Sequence, residues 1–142
     1  MVLGVSTMCW HERSKQRARV RDQLRDMGIG RWSQCLEHFE HTFVFSGSST
    51  CYYKLSIPPT DVDAFLITLG NRGWTRTTET FPATGPSHVR KDRRWWRPAD
   101  EADLQVMEMR VRSDGSPTGS FPLWYVAASK RSGRVYMYKV GW

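Results

Sequence analysis

The stretch FPLWYVAASKRSGRVYMYKVGW, residues 121–142, decides the fold class. It contains two aromatic-rich runs, 121–129 and 134–142, joined by the short loop KRSG. Two such runs around a short loop with a glycine predict a β-hairpin. Just upstream, residues 104–112 (LQVMEMRVR) alternate between apolar and polar side chains, which is typical of a half-buried antiparallel strand. The last third of the chain therefore predicts three consecutive strands.

The middle of the chain predicts further strands. Residues 42–46 and 50–57 flank a Gly-Ser turn and predict a second hairpin. In its second strand, alternation places one set of side chains on one face: Cys51, Tyr53, Leu55 and Ile57. Threonine-rich residues 74–81 predict a short strand. Residues 32–41 fit either a short helix or the start of a strand.

Residues 58–73 (PPTDVDAFLITLGNRG) predict a helix with one apolar face. That face has the helical spacing i, i+3, i+4 and i+7 and comprises Val62, Phe65, Leu66 and Leu69. We expect Thr60 to cap its first turn, and Asp61 and Asp63 to stabilise the positive end of the helix dipole. This interpretation explains the two aspartates better than a catalytic role does.

Residues 12–27 predict a first helix with a narrow apolar stripe of Val20, Leu24 and Met27. Arginines cover much of the rest of this helix, and they form a possible secondary basic face of Arg17, Arg21 and Arg25. Three interpretations are open: a helix that binds phosphates, an arm that docks on an acidic partner, or a solvated face on a helix packed by its stripe.

The order of elements is helix, two strands, helix, strand, long loop and three strands. Strands that cluster with few crossover helices predict an α+β fold: one domain, residues 1–142, with a mainly antiparallel sheet of about five or six strands and two helices. Residues 1–11 form a possible flexible N-terminal segment. The expected core includes the final hairpin and Leu24, Phe43, Phe45, Leu55, Ile57, Phe65, Leu66, Leu69, Met107 and Met109.

Composition limits the functional classes. The 142 residues carry a formal net charge of +7, which favours an anionic partner. The three cysteines form no disulfide framework, and the first residues resemble neither a signal peptide nor a membrane span. We therefore expect a cytoplasmic protein that does not associate with membranes. Its oligomeric state is left open.

Motifs of catalysis are sparse. Neither phosphate-loop pattern nor a G-x-S-x-G elbow is present, so we expect no cofactor and lean against an enzyme. One metal-like spacing, Cys35, His38 and His41, makes a zinc-binding protein or an enzyme around these residues a weak alternative, and the zinc site requires them to lie on a helix. The acidic group of Asp100, Glu101 and Asp103 is expected to pair with nearby arginines rather than to act as an acid–base pair.

The stretch RRWWRP, residues 93–98, lies in the longest predicted loop and combines indoles with guanidinium groups. Neighbouring side chains of an extended chain point in opposite directions, so we expect one tryptophan in the core and one partly exposed. The predicted partner-binding residues are Arg90, Lys91, Arg93, Arg94, Trp95, Trp96 and Arg97. Strand aromatics expected on the surface extend this site: Tyr52, Trp124, Tyr136 and Tyr138.

These residues favour a non-enzymatic interaction protein of the inhibitor, immunity or accessory type that docks on an acidic protein. Tryptophan, tyrosine and arginine are enriched at the energetic centres of protein interfaces. The same residues fit a single-stranded nucleic-acid-binding protein, since bases stack on aromatic rings and phosphates meet arginines. A third interpretation places one tryptophan in the core, the other on the flank of the domain and the arginines in solvent.

Overall fold

The computed structural model describes residues 2–43, 49–77, 95–110, 116 and 124–139, with the side chains of residues 2–12, 42–43 and 49–50 excepted. The two helices are α1 (Val2–Asp26) and α2 (Val62–Asn71). The strands are β1 (Leu36–Phe43), β2 (Ser49–Ser56), β3 (Thr75–Arg76), β4 (Leu104–Met109), β5 (Trp124–Ser129) and β6 (Arg134–Lys139). Short 3-10 turns cover Gly30–Cys35, Pro59–Asp61 and Pro98–Asp100.

The strands of the described residues belong to one sheet of six strands in the order β1-β2-β6-β5-β4-β3. Every neighbouring pair is antiparallel. After the β1–β2 hairpin, α2 carries the chain to the far edge of the sheet. The chain then returns strand by strand until β6 pairs with β2. The predicted α+β class and the antiparallel sheet are confirmed.

One face of the sheet, which we call the helix face, packs against α1 and α2. It carries the odd-numbered residues of β2 and β6, among them Tyr53, Leu55 and Met137, all fully buried. The apolar stripes of both helices contribute Val20, Leu24, Val62, Phe65, Leu66 and Leu69 to the same cluster. The predicted stripes are therefore confirmed, although Met27 and Met109 are only partly buried at the margin of the cluster.

The opposite face, which we call the aromatic face, has a second buried cluster. It consists of Tyr52, Trp96, Ala127, Tyr136 and Tyr138, with Trp95, Leu104, Val106 and Tyr125 partly buried beside them. Tyrosines on the neighbouring strands β2 and β6 contact one another directly, as in the pair Tyr52 and Tyr138, whose ring centroids lie 5.1 Å apart. The sheet therefore separates two cores of different composition.

The β5–β6 connection confirms the predicted hairpin and depends on a glycine. Gly133 has a φ of 76° and donates its N–H to the Ser129 carbonyl over 2.8 Å. A Cβ at this position would collide with the carbonyl oxygen of Ile57, which follows β2. The turn therefore requires glycine both for its backbone conformation and for its close packing.

The start of α2 differs from the prediction. A 3-10 turn over Pro59–Asp61 precedes the helix, and no side chain caps its first turn. The proposed Thr60 cap is wrong because the chain is already turning at Pro59. Asp61 instead accepts a hydrogen bond from Trp32 Nε1 over 3.0 Å, and Asp63 pairs with Lys130 Nζ over 2.9 Å.

The first part of the chain also differs from the predicted boundaries. Helix α1 begins at Val2 rather than at Glu12, and the ambiguous stretch 32–41 is a 3-10 turn followed by strand β1. The predicted strand over 42–46 therefore starts earlier, at Leu36, while residues 44–46 and the side chain of Phe43 lie outside the described part. In the described residues, β3 is limited to Thr75–Arg76. Flexibility of residues 1–11 stays a prediction.

Among the described residues, no helix has the length and apolarity that crossing a membrane requires.

Candidate functional site

The two adjacent tryptophans point to different environments, as the extended backbone predicts. Trp96 is 7% exposed, and its ring meets those of Tyr52 and Tyr136 edge to face, at centroid distances of 5.2 and 5.3 Å. Trp95 remains partly exposed and stacks on His38 of β1 at 5.2 Å, with the rings inclined by 12°. The buried indole thus anchors the segment, and the exposed indole lies at the β1 edge of the sheet.

Arg97 lies at the outer end of this segment. Its side chain is 61% exposed, and Nη1 lies 3.9 Å from Asp100 Oδ2. Its backbone carbonyl accepts a hydrogen bond from the Tyr136 hydroxyl over 3.3 Å, which ties the segment to the aromatic face. We call Trp95, His38 and Arg97 the Trp95 surface. The other predicted contact residues, Arg90, Lys91, Arg93 and Arg94, lie outside the described residues.

The expected platform of surface aromatics is wrong. Tyr52, Trp124, Tyr136 and Tyr138 are between 0% and 7% exposed. Three of them fill the aromatic face, and Trp124 lies in the helix-face cluster beside Tyr53. Burial raises the pKa of Tyr136 to about 12 and also raises that of Tyr138. These tyrosines are structural groups that stay protonated.

Two of the three carboxylates near this segment fasten the β5–β6 turn. Asp103 accepts hydrogen bonds from the Ser129 hydroxyl over 2.6 Å and from the Arg131 N–H over 2.9 Å. The hydrogen bond from Ser129 is the main reason that the pKa of Asp103 is lowered. Glu101 pairs with Arg134 over 2.9 Å. Among the nearby arginines expected as partners, Arg97 pairs with Asp100 over 3.9 Å, while Arg93 and Arg94 lie outside the described residues.

The metal-like residues do not come together. His38 and His41 both belong to β1, where alternation directs an even and an odd position to opposite faces. His38 stacks on Trp95, whereas His41 Nε2 lies 3.2 Å from the Tyr53 hydroxyl on the helix face. Cys35 ends the preceding 3-10 turn, and burial raises the pKa of its thiol. Within the described ranges, no group of three candidate ligands forms a metal site.

Both histidines of β1 favour the neutral form. Burial is the main cause that lowers the pKa of His38, and Lys54 adds to it while Glu37 opposes it. Burial, followed by the charge of Lys139, lowers the pKa of His41. Burial and the charge of one lysine therefore act in the same direction on the pKa of each ring.

The three arginines of the possible basic face of α1 have different roles. Arg17 donates from Nη1 to the Leu36 carbonyl over 2.9 Å, and its guanidinium lies 5.5 Å from the Phe39 ring centroid. Arg25 pairs with Asp22 over 2.8 Å one turn away. Arg21 is partly buried. Arg17 therefore joins α1 to β1, and Arg25 is neutralised within its own helix.

A cleft of about 350 Å³ lies between α1 and β1. We call it the α1–β1 cleft, and its lining residues are Arg13, Gln16, Arg19, Phe39, Glu40 and His41. Local sequence patterns do not predict this site, because residues 32–41 fit a helix as well as a strand. The available signal was the i, i+3, i+6 spacing of Arg13, Gln16 and Arg19, which places three hydrogen-bond donors on one side of a helix.

Comparison with protein-family models, with curated proteins and with solved structures finds no match to this chain.

Proposed function

We propose that this protein is a non-enzymatic interaction protein whose Trp95 surface docks on an acidic protein. The observation that carries the proposal is the position of Trp95, a partly exposed indole held in place by its stack on His38 and by the buried indole of Trp96. An anchored aromatic side chain loses little conformational freedom on binding, which favours it as an interface residue.

Charge supports an acidic partner. The chain carries a net charge of +7, and positive side chains, with Lys54 foremost, act on the ring beneath Trp95. Arg97 follows Trp95 closely, and four further cations, Arg90, Lys91, Arg93 and Arg94, precede it in the chain. A positive surface accelerates encounter with a negative one and disfavours basic partners.

A protein partner is favoured over single-stranded nucleic acid. Binding without sequence preference uses several aromatic rings in succession, so that neighbouring bases stack. The four strand aromatics that would extend such a platform are buried, and among the described aromatic side chains that pack on them Trp95 and Tyr125 are partly exposed. One indole beside a cationic chain suits a protein contact better than a run of bases.

An affinity capture from the native host tests the proposal. The bait is the full chain as wild type, as Trp95→Ala/Arg97→Glu and as the matched control Ile67→Ala/Arg76→Glu. The control truncates one exposed apolar side chain and reverses one exposed arginine on α2 and β3. We expect an acidic protein that wild type and control recover and the Trp95 variant loses. Recovery of the same proteins by all three baits contradicts the proposal.

A labelled single-stranded oligonucleotide, titrated at two salt concentrations, tests the alternative. Nucleic acid is the partner, rather than an acidic protein, if wild type binds the oligonucleotide tightly, if binding falls steeply with salt and if the Trp95→Ala/Arg97→Glu variant loses it. We expect weak binding that the control and the Trp95 variant share.

A further inference from the structure

We propose that the α1–β1 cleft binds a glutamate side chain of the acidic partner, as a second contact next to the Trp95 surface. The proposal rests on the proposed function and adds the chemistry of one contact. The cleft has the volume of a small ligand site, about 350 Å³, and it combines cationic donors with one aromatic wall.

The α1 wall of the cleft supplies the donors. Arg13, Gln16 and Arg19 follow one another at intervals of three residues, so their side chains point to the same side of the helix. All three are exposed, and within the described ranges neither guanidinium forms an ion pair with a carboxylate. A planar guanidinium can bind a carboxylate through two parallel hydrogen bonds.

The β1 wall supplies an apolar surface and a neutral ring. Phe39 is partly buried in the wall, and the Arg17 guanidinium covers one of its faces. The Tyr53 hydroxyl donates to Gln23 Oε1 and also lies 3.2 Å from His41 Nε2. Methylene groups of a glutamate can therefore pack on Phe39 while its carboxylate meets the α1 donors.

Among the described side chains, Glu40 is the carboxylate that lines the cleft. It alternates along the strand with Phe39 and His41, and the two arginines of the described lining outnumber it. Inorganic phosphate can bind the same guanidinium groups. The apolar ring of Phe39 is the feature that favours the longer side chain of glutamate over phosphate.

The cleft and the Trp95 surface share strand β1. His38 supports Trp95, and the next three residues of β1 line the cleft, which corresponds to about 3–10 Å along a strand. A partner segment that crosses the edge of β1 can therefore reach both contacts at once.

The test is an NMR titration of the ¹⁵N-labelled full chain with the blocked tripeptide acetyl-Glu-Glu-Glu-amide. Acetyl-Gln-Gln-Gln-amide and inorganic phosphate serve as parallel probes. We expect saturable shifts of the Phe39, Glu40 and His41 amides with the glutamate peptide. With the glutamine peptide we expect no saturable shift of these amides. Arg13→Gln/Arg19→Gln weakens this binding about tenfold, since two charged hydrogen-bond donors are lost.

The control variant Lys15→Gln/Arg76→Gln removes the same net charge from exposed positions outside the cleft. We expect it to bind the glutamate peptide within about twofold of wild type. Equal binding by the cleft variant and the control overturns the proposal, as does the absence of binding. Tighter binding of phosphate at the same amides overturns it in favour of a phosphate site. These results do not depend on the capture experiment. The proposed binding role of the Trp95 surface can therefore be contradicted without contradicting the cleft, and the reverse also holds.

Discussion

The two faces of the sheet are covered in different ways. The helix face is closed by α1 and α2, whose aliphatic stripes and Phe65 pack on β2 and β6. The aromatic face is covered, within the described part of the chain, by its own tyrosines and by Trp96. On the helix face the boundary with solvent runs along the helices. On the aromatic face it lies between two consecutive residues, Trp95 and Trp96.

This difference separates stability from recognition. A change in the buried cluster of the helix face is expected to act on the free energy of unfolding, because those side chains are packed inside the protein. On the aromatic face, Trp96 is the buried anchor and its neighbour Trp95 is the candidate contact. Separate substitutions of Trp95 and Trp96 therefore test the difference between the two faces most directly.

The largest effect is expected at Phe65, which is fully buried and meets the Trp32 ring at a centroid distance of 5.2 Å. Phe65→Ala is expected to lower the free energy of unfolding by about 4 kcal/mol, because a cavity forms between α2 and the sheet. Ile67, exposed on the same helix, is the control, and Ile67→Ala is expected to stay within about 0.5 kcal/mol of wild type. Urea denaturation measures both, and equal values for the two variants contradict the helix-face core.

Trp96→Ala comes next, with an expected loss of about 3 kcal/mol. The indole contacts Tyr52 and Tyr136 but lies at the open side of the sheet, so part of the gap can fill with solvent. Trp96→Phe retains the aromatic packing and is expected to lose less than half as much. If Trp96→Ala unfolds at the same urea concentration as wild type, the aromatic face has no second core.

Trp95→Ala is expected to cost about 1 kcal/mol or less, since it removes one stack on His38 and leaves the buried cluster intact. Comparison of this variant with Trp96→Ala in one denaturation series measures the boundary between core and surface directly. A loss as large as that of Trp96→Ala places Trp95 in the core and removes it from the proposed interface.

The smallest effect concerns pH. The pKa of His41 lies below its ordinary value of 6.5 in the folded chain, so the unfolded chain binds the proton more readily. Stability is therefore expected to fall as the pH decreases from about 7.5 to about 5.5. His41→Gln is expected to flatten this dependence in denaturation curves recorded across the range. An unchanged slope in the variant contradicts the assignment of a neutral His41.

Elements with a strong local period could be predicted from the sequence. The apolar stripe of α2 and the alternation of β2 both follow from side-chain spacing, and the β5–β6 hairpin follows from two aromatic runs around a glycine turn. The edge strand β1 could not be predicted in the same way, because Glu37, His38, Glu40 and His41 interrupt any apolar alternation. An edge strand buries little, so its sequence needs little pattern.

The candidate site was predicted only in part. The spacing indicated that one tryptophan is buried and one partly exposed, but the choice between them depends on contacts with β1 and β6, which are distant in sequence. The exposed-tyrosine prediction failed for the same reason, since Tyr52 and Tyr136 are covered by an indole from another part of the chain. The α1–β1 cleft likewise depends on how a helix packs against a strand that local patterns did not identify.

The most direct measurement is the affinity of the captured partner for Trp95→Ala and for the control Ile67→Ala, determined by calorimetry. Our account predicts that Trp95→Ala weakens binding about tenfold or more, as truncation of a central interface aromatic does, while the control binds as wild type. Equal affinities for the two variants would contradict the role of the Trp95 surface.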